Sequence, residues 1–489
     1  MSEEDRRGSD SGTLAGDIDR KGEQDDSPSD GGEKGGQGQD GSPKPVGFWH
    51  PSLRKTRFQV FGLWGRTTLI LSTFILGILS LYWAVLYNVD QNLNSLIIYV
   101  VDFDGQVAPY QSGTPIVGPL ITKMTEAIVE ENAMPHLGYV TVPQESFNGD
   151  PILVREAVYG QQAWLAIVIN PNATALLRQA VERGNSSYDP LGACQLIWVE
   201  SRDQDTVYDY VLPQINMLTT EITSAFGKQW VSEVLSNTSI SRTNLEKAPQ
   251  ALNPAIGFSM YSLRPFVPYV AIPAVTIGLI YLIIISFFSF SFFLPIHMKF
   301  VQPGHPPLHF YQLIIWRWIA TIIAYLIMSL CYSLISLAFQ IPLTGNPAPH
   351  TIVATGANAF GHGTFPIYWM INFVGMIALG LACENVAQIV GQPWTAMWLI
   401  FWVITNVSTS FYAIELSPRF FYWGYAWPLH SIVEASRTVI FDLHSKLGLD
   451  FGILFAWSAV NTALFPLTCY FARWKEMRQK KKGQQQKSK

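Results

Sequence analysis

Six long apolar runs, one near the start of the chain and five in its second half, most constrain what this chain can fold into. They cover roughly residues 67–87, 266–294, 313–338, 366–383, 394–412 and 451–470. A helix rises about 1.5 Å per residue, so runs of this length are expected to cross a hydrocarbon core of about 30 Å. The pattern predicts an α-helical multi-pass membrane protein with six transmembrane helices, arranged as one plus five, and excludes most classes of soluble enzyme.

The polar insert between the first and second runs, residues 88–264, alternates between strand-like and helix-like patches. Apolar β-branched patches predict strands at residues 95–101, 139–142, 164–169 and 195–199. Helical spacing of apolar residues predicts helices at residues 114–132, 151–159, 172–183 and about 206–235. Alternation of this kind is typical of an α/β layer with a mostly parallel sheet, so the insert is predicted to be an α/β domain.

Basic residues predict the orientation of the chain. Five cations precede the first run with no acid among them, and a second basic group follows the last run; they are Lys44, Arg54, Lys55, Arg57 and Arg66, then Arg473, Lys475, Arg478, Lys480, Lys481 and Lys482. Lysine and arginine beside helix ends stay on the cytoplasmic side. Both termini are therefore predicted to be cytoplasmic, which six spans allow, and the α/β domain is predicted to be extracellular or lumenal.

Glycosylation sequons agree with this orientation. Asn172, Asn185 and Asn237 each begin an Asn-X-Ser/Thr triplet inside the insert, and these three are the N-glycosylation candidates. The other match begins at Asn406, inside an apolar run where no transferase could reach it. The first run is too long for the core of a cleaved signal peptide, so it is interpreted as a signal anchor.

The remaining segments complete the predicted domain organisation. Residues 1–43 are rich in Gly, Ser, Asp and Glu and are predicted to be a disordered acidic cytoplasmic tail. Residues 44–66 form a basic juxtamembrane segment, and residues 67–87 form the first transmembrane helix. The α/β domain covers residues 88–264, the five-helix membrane domain covers 265–472, and a basic cytoplasmic tail covers 473–489.

Motifs that would carry enzyme chemistry are missing from the sequence. There is no Gly-rich phosphate loop ending in Gly-Lys-Ser/Thr, no paired-cysteine zinc spacing and no Gly-X-Ser-X-Gly elbow. We therefore expect neither an enzyme nor a protein with a cofactor, a metal or a nucleic-acid partner.

Three polar residues in the apolar runs are candidates for a substrate pathway, namely Glu384, Asn372 and Asn406. An ionisable group inside a bilayer is costly and often marks a pathway. For Glu384 we favour the alternative that it anchors a helix at the cytoplasmic interface, as Arg317 also would. For the two asparagines we favour hydrogen bonds between helices.

A further helix is predicted from Pro428, directly after a segment dense in aromatic rings. Its apolar residues fall on one stripe, and the other side carries His430, Glu434 and Arg437. This amphipathic helix is predicted to lie in the external membrane interface. His430 and Glu434 have a spacing that could hold a metal ion, but an ion pair between Glu434 and Arg437 is the simpler interpretation.

Several long motifs resemble the fungal nitrosoguanidine-resistance membrane proteins. They are residues 398–412 and 372–385, Trp423-Gly-Tyr-Ala-Trp-Pro-Leu-His430, Glu434-Ala-Ser-Arg437, Tyr188-Asp-Pro190 and Glu200-Ser-Arg-Asp203. The resemblance covers about residues 53–474. It implies a domain of unknown function with the same one-plus-five layout, which is similar to the membrane subunits of type-2 ABC exporters and to a bacterial phage-infection-type family. It supplies no catalytic residues.

The resemblance also implies a function. That family is associated with resistance to nitrosoguanidine and a toxic uracil analogue, and with the lipid asymmetry of the plasma membrane. Because the chain has no ATPase motif, active export would need a separate ATP-binding subunit or another energy source. The first hypothesis is therefore resistance to toxic compounds through transporter-like export or control of lipid asymmetry, with membrane lipids, an ATP-binding subunit, a lipid-regulating protein or a second copy of the chain as partners.

The alternative hypothesis is a non-transporting scaffold or regulator whose external domain binds a protein or lipid partner. The last four residues do not form a dilysine retrieval signal, which favours the plasma membrane as the location.

Overall fold

The computed structural model describes residues 45–111, 113–132, 135–391 and 393–487. The predicted disordered tail, residues 1–43, lies outside the described residues. The chain divides into two compact units, which meet between Thr67 and Thr68. In the first unit, Pro51–Leu53 forms a single turn that leads into α1 (Arg54–Ala84), whose residues from Thr68 onward belong to the second unit. Arg57 donates hydrogen bonds to the carbonyl oxygens of Phe48 and His50 and lies over the ring of Trp49.

After α1, the second unit contains a five-stranded sheet, which confirms the predicted α/β organisation of the insert. The strands are β1 (Ile97–Asp102), β2 (Gly138–Thr141), β3 (Leu165–Ile169), β4 (Cys194–Trp198) and β5 (Phe258–Ser262). Their order in the sheet is β2-β1-β3-β4-β5, and every pairing except that of β3 with β4 is parallel. The fifth strand was not predicted from the sequence.

Four main helices pack on this sheet, namely α2 (Val117–Glu131), α3 (Pro151–Tyr159), α4 (Ala173–Arg183) and α5 (Leu212–Ser236). Short helices lie at Val89–Asn92, Gln204–Thr206 and Arg242–Lys247. Capping residues fix the start of α3 and the end of α4. Asp150 accepts a hydrogen bond from the backbone N–H of Ile152 at the start of α3, where Pro151 takes the first helical position. Gly184 ends α4 in the left-handed conformation that glycine adopts without strain.

The two faces of the sheet belong to different cores. On one face, α2, α4 and α5 pack against strand residues such as Val100 and Ile167. On the other face, α3 packs against residues such as Val168, and that core continues without a break into the helix block. The sheet therefore shares a hydrophobic core with the membrane helices.

The helix block consists of α6 (Ile280–His297), α7 (Phe310–Ala338), α8 (Thr364–Val390), α9 (Thr395–Val407), α10 (Pro428–Phe441) and α11 (Leu447–Lys487), with a short helix at Ile272–Val275 before α6. α8 is the central helix of the block, because 67% of its most apolar stretch is buried inside the protein. A Cβ atom on Gly375 would lie 2.5 Å from Ile432, so this glycine lets α8 and α10 approach closely.

Among the described residues, five helical stretches are long and apolar enough to cross a membrane. They are Pro51–Ala84, Tyr269–Val301, Phe310–Ala338, Gly361–Val390 and Leu447–Lys482. The chain is therefore a multi-pass membrane protein.

The predicted span at residues 394–412 is helical only over Thr395–Val407. A helix of this length covers only about 20 Å, short of the roughly 30 Å of a hydrocarbon core. The side chains of Ser408 and Ser410 donate to carbonyl oxygens four residues earlier, at 2.6 and 2.5 Å, in the way that competes with helix propagation. The chain then turns through Ile414–Leu416 and Arg419–Ala426 before α10 begins.

A buried ion pair joins the sheet to the end of α10. Arg264, only 1% exposed, lies two residues after β5, and its Nη2 atom is 2.9 Å from Oδ2 of Asp442. The same guanidinium donates to the carbonyl oxygens of Asp442, Ile352 and Ala348 at 3.0–3.1 Å. Asp442 ends α10 in the left-handed conformation and also accepts from the backbone N–H of Ala348 at 3.0 Å. The pair therefore fixes β5, α10 and the loop before α8 together.

Substitution of Asp442 tests the structural weight of this pair. Asp442→Asn keeps a side chain that tolerates the left-handed conformation but leaves the guanidinium of Arg264 buried without its counter-charge. We expect the free energy of unfolding of the full chain in detergent to fall by about 3–5 kcal/mol.

The matched control is Glu246→Gln, at the exposed pair of Arg242 and Glu246 with an N–O distance of 3.2 Å. Exposed pairs of this kind contribute about 0–1 kcal/mol. Equal unfolding midpoints for the two variants would show that the buried pair does not hold β5, α10 and the loop before α8 together.

Candidate functional site

The structure pairs Glu384 with Arg317 inside the helix block. Oε1 of Glu384, which is 3% exposed, lies 2.6 Å from Nη2 of Arg317. Both side chains are buried between α7, α8 and α11, so neither is an exposed anchor, and their position at the cytoplasmic interface stays a prediction. A single buried charge would be costly, and the opposite charge on the neighbouring helix offsets that cost.

Little space remains beside this pair. The cavity that Glu384 and Arg317 line has a volume of about 10 Å³, which is close to the space needed by one water molecule. Asn372 donates to Oγ of Ser333 at 3.0 Å and so joins α8 to α7. Twelve residues separate Asn372 from Glu384 on α8, a rise of about 18 Å.

Asn406 makes one hydrogen bond within α9 and one that joins α9 to α10. Its Nδ2 atom donates to the carbonyl oxygen of Trp402 at 2.9 Å, and its Oδ1 atom accepts from the backbone N–H of Leu429 at 3.2 Å. The second bond satisfies one of the free N–H groups at the start of α10. The structure therefore does not bring Glu384, Asn372 and Asn406 to one site.

The predicted helix after Pro428 is present as α10, but both of its faces are buried. Twelve of its fourteen residues are buried, including Arg437 on the polar side, which an interfacial helix would leave exposed. The apolar side packs on the helix block, while the polar side faces the sheet at Asp203. An interfacial position with an exposed polar face therefore does not describe this helix.

The polar side of α10 lines a cavity of about 260 Å³, which we name the junction cavity. It lies between the sheet, the chain that follows α9, α10 and the start of α11. Its lining residues are Gln161, Trp164, Arg202, Asp203, Ser410, Tyr412, Ala413, Ile414, Glu415, Tyr425, His430, Ser431, Glu434, Arg437, Lys446, Leu449, Asp450 and Ile453.

Arg437 is the central cation of the junction cavity. Its Nη1 atom lies 3.5 Å from Oδ2 of Asp203 and 3.5 Å from Oε1 of Glu434, and donates to the carbonyl oxygen of Arg202 at 3.2 Å. Its Nη2 atom is buried and has no hydrogen-bond partner in the described part of the chain. A buried donor of this kind is costly to leave unpaired.

Two further groups make the cavity able to bind both signs of charge. Arg202 lies over the ring of Trp164, 3.7 Å from its centre, and donates to the carbonyl oxygen of Ala163. Asp450 is buried, and its Oδ2 atom has no hydrogen-bond partner among the described residues. Buried cations and a buried carboxylate therefore line the same space.

Burial changes the titration of several groups in this cavity, Asp203 and His430 among them. It raises the pKa of Asp203 to about 6, against the opposing effect of Arg437 and of the backbone N–H of Thr206. Burial also lowers the pKa of His430 below its usual value. His430 is therefore neutral at neutral pH, whereas Asp203 gains a proton in mildly acidic conditions.

Exposed aromatic residues lie beside the cavity. In the segment Arg419–Ala426, Phe420 is 66% exposed, and Tyr422 and Tyr425 are partly exposed. Leu449, at the start of α11, is 65% exposed and lines the cavity itself. Aromatic side chains of this kind concentrate at membrane–water interfaces.

Sequence reasoning identified the α10 residues of this site but not the residues that face them. Arg202 and Asp203 belong to one of the motifs that carry the family resemblance, and Glu434 and Arg437 belong to another. The structure brings these two motifs together across the cavity. Nothing local in the sequence indicated that Asp450 would join them.

The glycosylation candidates differ in exposure. Asn185 and Asn237 are exposed, whereas Asn172 is half-buried beside Thr174, whose hydroxyl donates to Oδ2 of Asp104 at 2.5 Å. Glycosylation at these positions stays a prediction.

Comparison with known proteins places the chain in a family. It is 24% identical over 448 residues to the "uncharacterized endoplasmic reticulum membrane protein YJR015W" of Saccharomyces cerevisiae, covering 88% of this chain and 84% of that protein. No solved structure matches the chain. A family model matches residues 67–463, and the chain therefore belongs to the family described as "Protein of unknown function (DUF3533)".

Proposed function

We propose that this membrane protein binds the headgroup of a phospholipid in the junction cavity and so controls the distribution of membrane lipids. The observation that supports this most directly is the group of four buried polar atoms in the cavity lining that have no partner among the described residues: Nη2 of Arg437, Oδ2 of Asp450, Nδ1 of His430 and Oγ of Ser431. In this proposal, resistance to toxic compounds follows from the lipid composition of the membrane that those compounds must cross.

The chemistry of the lining fits a headgroup that carries both a phosphate and an ammonium group. A guanidinium presents a planar fork that matches phosphate oxygens, and Arg437 has one nitrogen free for this contact. A carboxylate such as Asp450 accepts hydrogen bonds from an ammonium group. Because Lys446, Glu415 and Glu434 also line the cavity, neither sign of charge dominates, and a zwitterionic headgroup suits it best.

The size of the cavity favours a headgroup over a whole toxicant. Sites that enclose drug-sized ligands have volumes of about 300–1,000 Å³. The junction cavity, at about 260 Å³, is smaller, and exposed Leu449 beside it offers an apolar surface for the acyl chains. Export through the helix block has less support, since Glu384 is paired with Arg317 and the space beside the pair holds about 10 Å³.

The proposal includes a topology and a location. The basic residues before α1 and the exposed sequons at Asn185 and Asn237 support an external or lumenal α/β domain. Cytoplasmic positions for both termini would also require α9 and the turns after it to complete a sixth crossing, since five helical stretches alone would place the termini on opposite sides. The sequence favours the plasma membrane, whereas the name of the yeast relative favours the endoplasmic reticulum. Movement of a lipid against its gradient would require energy, which a separate ATP-binding subunit or a lipid-regulating partner would supply.

Asp450→Asn tests the role of the cavity without removing an internal ion pair. The full chain is reconstituted in nanodiscs of mixed phosphatidylethanolamine and phosphatidylglycerol, and the lipids retained after delipidation are counted by mass spectrometry. We expect retention of phosphatidylethanolamine to fall about tenfold, since a hydrogen bond to a charged group contributes about 1.5–3 kcal/mol.

Glu221→Gln provides the control, because Glu221 is an exposed acid on α5 outside the cavity. Retention by this variant should match that of the unchanged protein. If Asp450→Asn also retained phosphatidylethanolamine fully, the headgroup would not occupy the junction cavity.

Headgroup binding is expected to tighten in mild acid. As pH falls through about 6, Asp203 becomes protonated and its charge no longer competes for Arg437, so the guanidinium is freer to bind phosphate. The lowered pKa of His430 keeps that ring neutral over the same range. We expect the Kd for short-chain phosphatidylglycerol, which has the phosphate but no ammonium group for Asp450 to bind, to fall about fivefold between pH 7.5 and pH 5.5 when measured by calorimetry.

Asp203→Asn removes the titrating group and should give tight binding at both pH values. A pH dependence that persists in this variant would assign the titration to another group and contradict the competition between Asp203 and phosphate.

The helix-block pair can be tested against the export alternative. Glu384→Gln leaves Arg317 buried without its partner, so the amount of protein in the membrane should fall several-fold. The double variant Arg317→Gln with Glu384→Gln removes both charges and should recover much of that amount. At equal abundance, we expect the double variant to redistribute a fluorescent phospholipid as the unchanged protein does. Loss of this activity at normal abundance would place the pair on a translocation pathway.

A further inference from the structure

A second cavity, of about 330 Å³, lies in the α/β domain where β1 and β3 end. We name it the edge cavity. Its lining includes Asp104 and Tyr110 from the chain after β1, Pro171 from the chain after β3, and Arg178 and Arg183 from α4. None of these residues lines the junction cavity, so this site is independent of the proposed headgroup site.

The topology of the sheet explains why a cavity forms here. The connection from β1 to β2 runs through α2 on one face, and the connection from β2 to β3 runs through α3 on the other. β1 and β3 are adjacent and parallel, so their carboxyl ends lie side by side. The helices that follow them, α2 and α4, pack on the same face of the sheet, and the cavity lies where these helices begin. In open α/β sheets, ligands bind in the crevice outside the carboxyl ends of the strands.

The innermost part of this crevice is already occupied by a carboxylate of the chain. Asp104 accepts from the backbone N–H groups of Gly118 at 3.2 Å and Thr174 at 2.9 Å, and from the hydroxyl of Thr174. These donors belong to the first turns of α2 and α4, which in dinucleotide-binding folds would face a phosphate. A ligand therefore cannot place its anionic group between the two helices, and the charge must lie further out.

Two arginines occupy that outer position. Arg178 is half-buried and Arg183 is exposed, and both line the cavity along α4. Neither forms an ion pair within the ranges that the structure describes. Two guanidinium groups beside an aromatic ring can bind a carboxylate or a phosphate and pack its carbon skeleton on the ring. We propose that the edge cavity binds a small soluble anion through Arg178 and Arg183.

The position of the cavity argues for a soluble ligand rather than a membrane lipid. Trp164, directly before β3, lines the junction cavity, whereas Pro171, directly after β3, lines the edge cavity. The five residues of β3 separate these ends by about 16 Å. β5 also ends at the Trp164 side, where Arg264 meets α10. The edge cavity thus opens at the sheet edge away from the helix block.

The test uses the full chain in detergent, with inorganic phosphate, citrate and glycerol 3-phosphate as separate probes. Saturable binding of at least one probe, with a Kd below about 1 mM by calorimetry, is expected. The double variant Arg178→Ala with Arg183→Ala should weaken that binding at least tenfold. Arg178→Lys with Arg183→Lys keeps the charge but loses the fork and should bind with intermediate affinity.

Arg242→Ala is the matched control, because Arg242 is an exposed arginine of the same domain outside the cavity. It should bind each probe as the unchanged protein does, and all variants should unfold at similar temperatures. Three results would overturn the proposal: no saturable binding of any probe at 10 mM, equal loss in Arg242→Ala, or binding seen only with anionic lipid in nanodiscs.

Discussion

The burial of α10 between the sheet and the helix block is the constraint on which the rest of the structure depends. A helix with polar groups on one side can be buried on both faces only if those groups find partners. Asn406 satisfies its first turn, Asp203 faces Arg437 in its middle, and Arg264 pairs with Asp442 at its end. Each partner comes from a different element, so α10 sets how the sheet sits on the membrane helices.

The same constraint produces the junction cavity. Among the described residues, the partners of Arg437 contact only one of its two terminal nitrogens, and Arg437 lines the cavity together with residues from the aromatic segment and α11. If every polar group on this side of α10 had a hydrogen-bond partner within the protein, those partners would fill this space. The buried polar groups without partners thus lower the stability of the fold at this position, which is typical of binding sites. The edge cavity differs, because hydrogen bonds satisfy its buried carboxylate, Asp104. Its groups without an ion-pair partner among the described residues, Arg178 and Arg183, lie further out.

Local patterns predicted most of the elements. Apolar spacing and turn residues located α3 at its observed bounds, and β1, β3 and α4 within about two residues. Long-range partners could not be predicted in this way, since Arg317 and Glu384 are 67 positions apart and nothing local links them. β5 was missed because Phe258–Ser262 contains no β-branched residue and follows a stretch rich in Pro and Ala. The span at residues 394–412 was overestimated because Phe411 and Tyr412 continue the apolar run after the helix has ended at Val407.

The central claim is that a phospholipid headgroup occupies the junction cavity, and photo-cross-linking tests it most directly. The full chain in its native membrane is labelled with a phosphatidylethanolamine that carries a diazirine next to the headgroup, and the labelled residues are mapped by mass spectrometry. The account predicts labels on residues around the cavity, such as Tyr425, Glu434 and Leu449, and competition by unlabelled phosphatidylethanolamine. Labels confined to the exposed apolar surfaces of α7 and α11, without such competition, would contradict it.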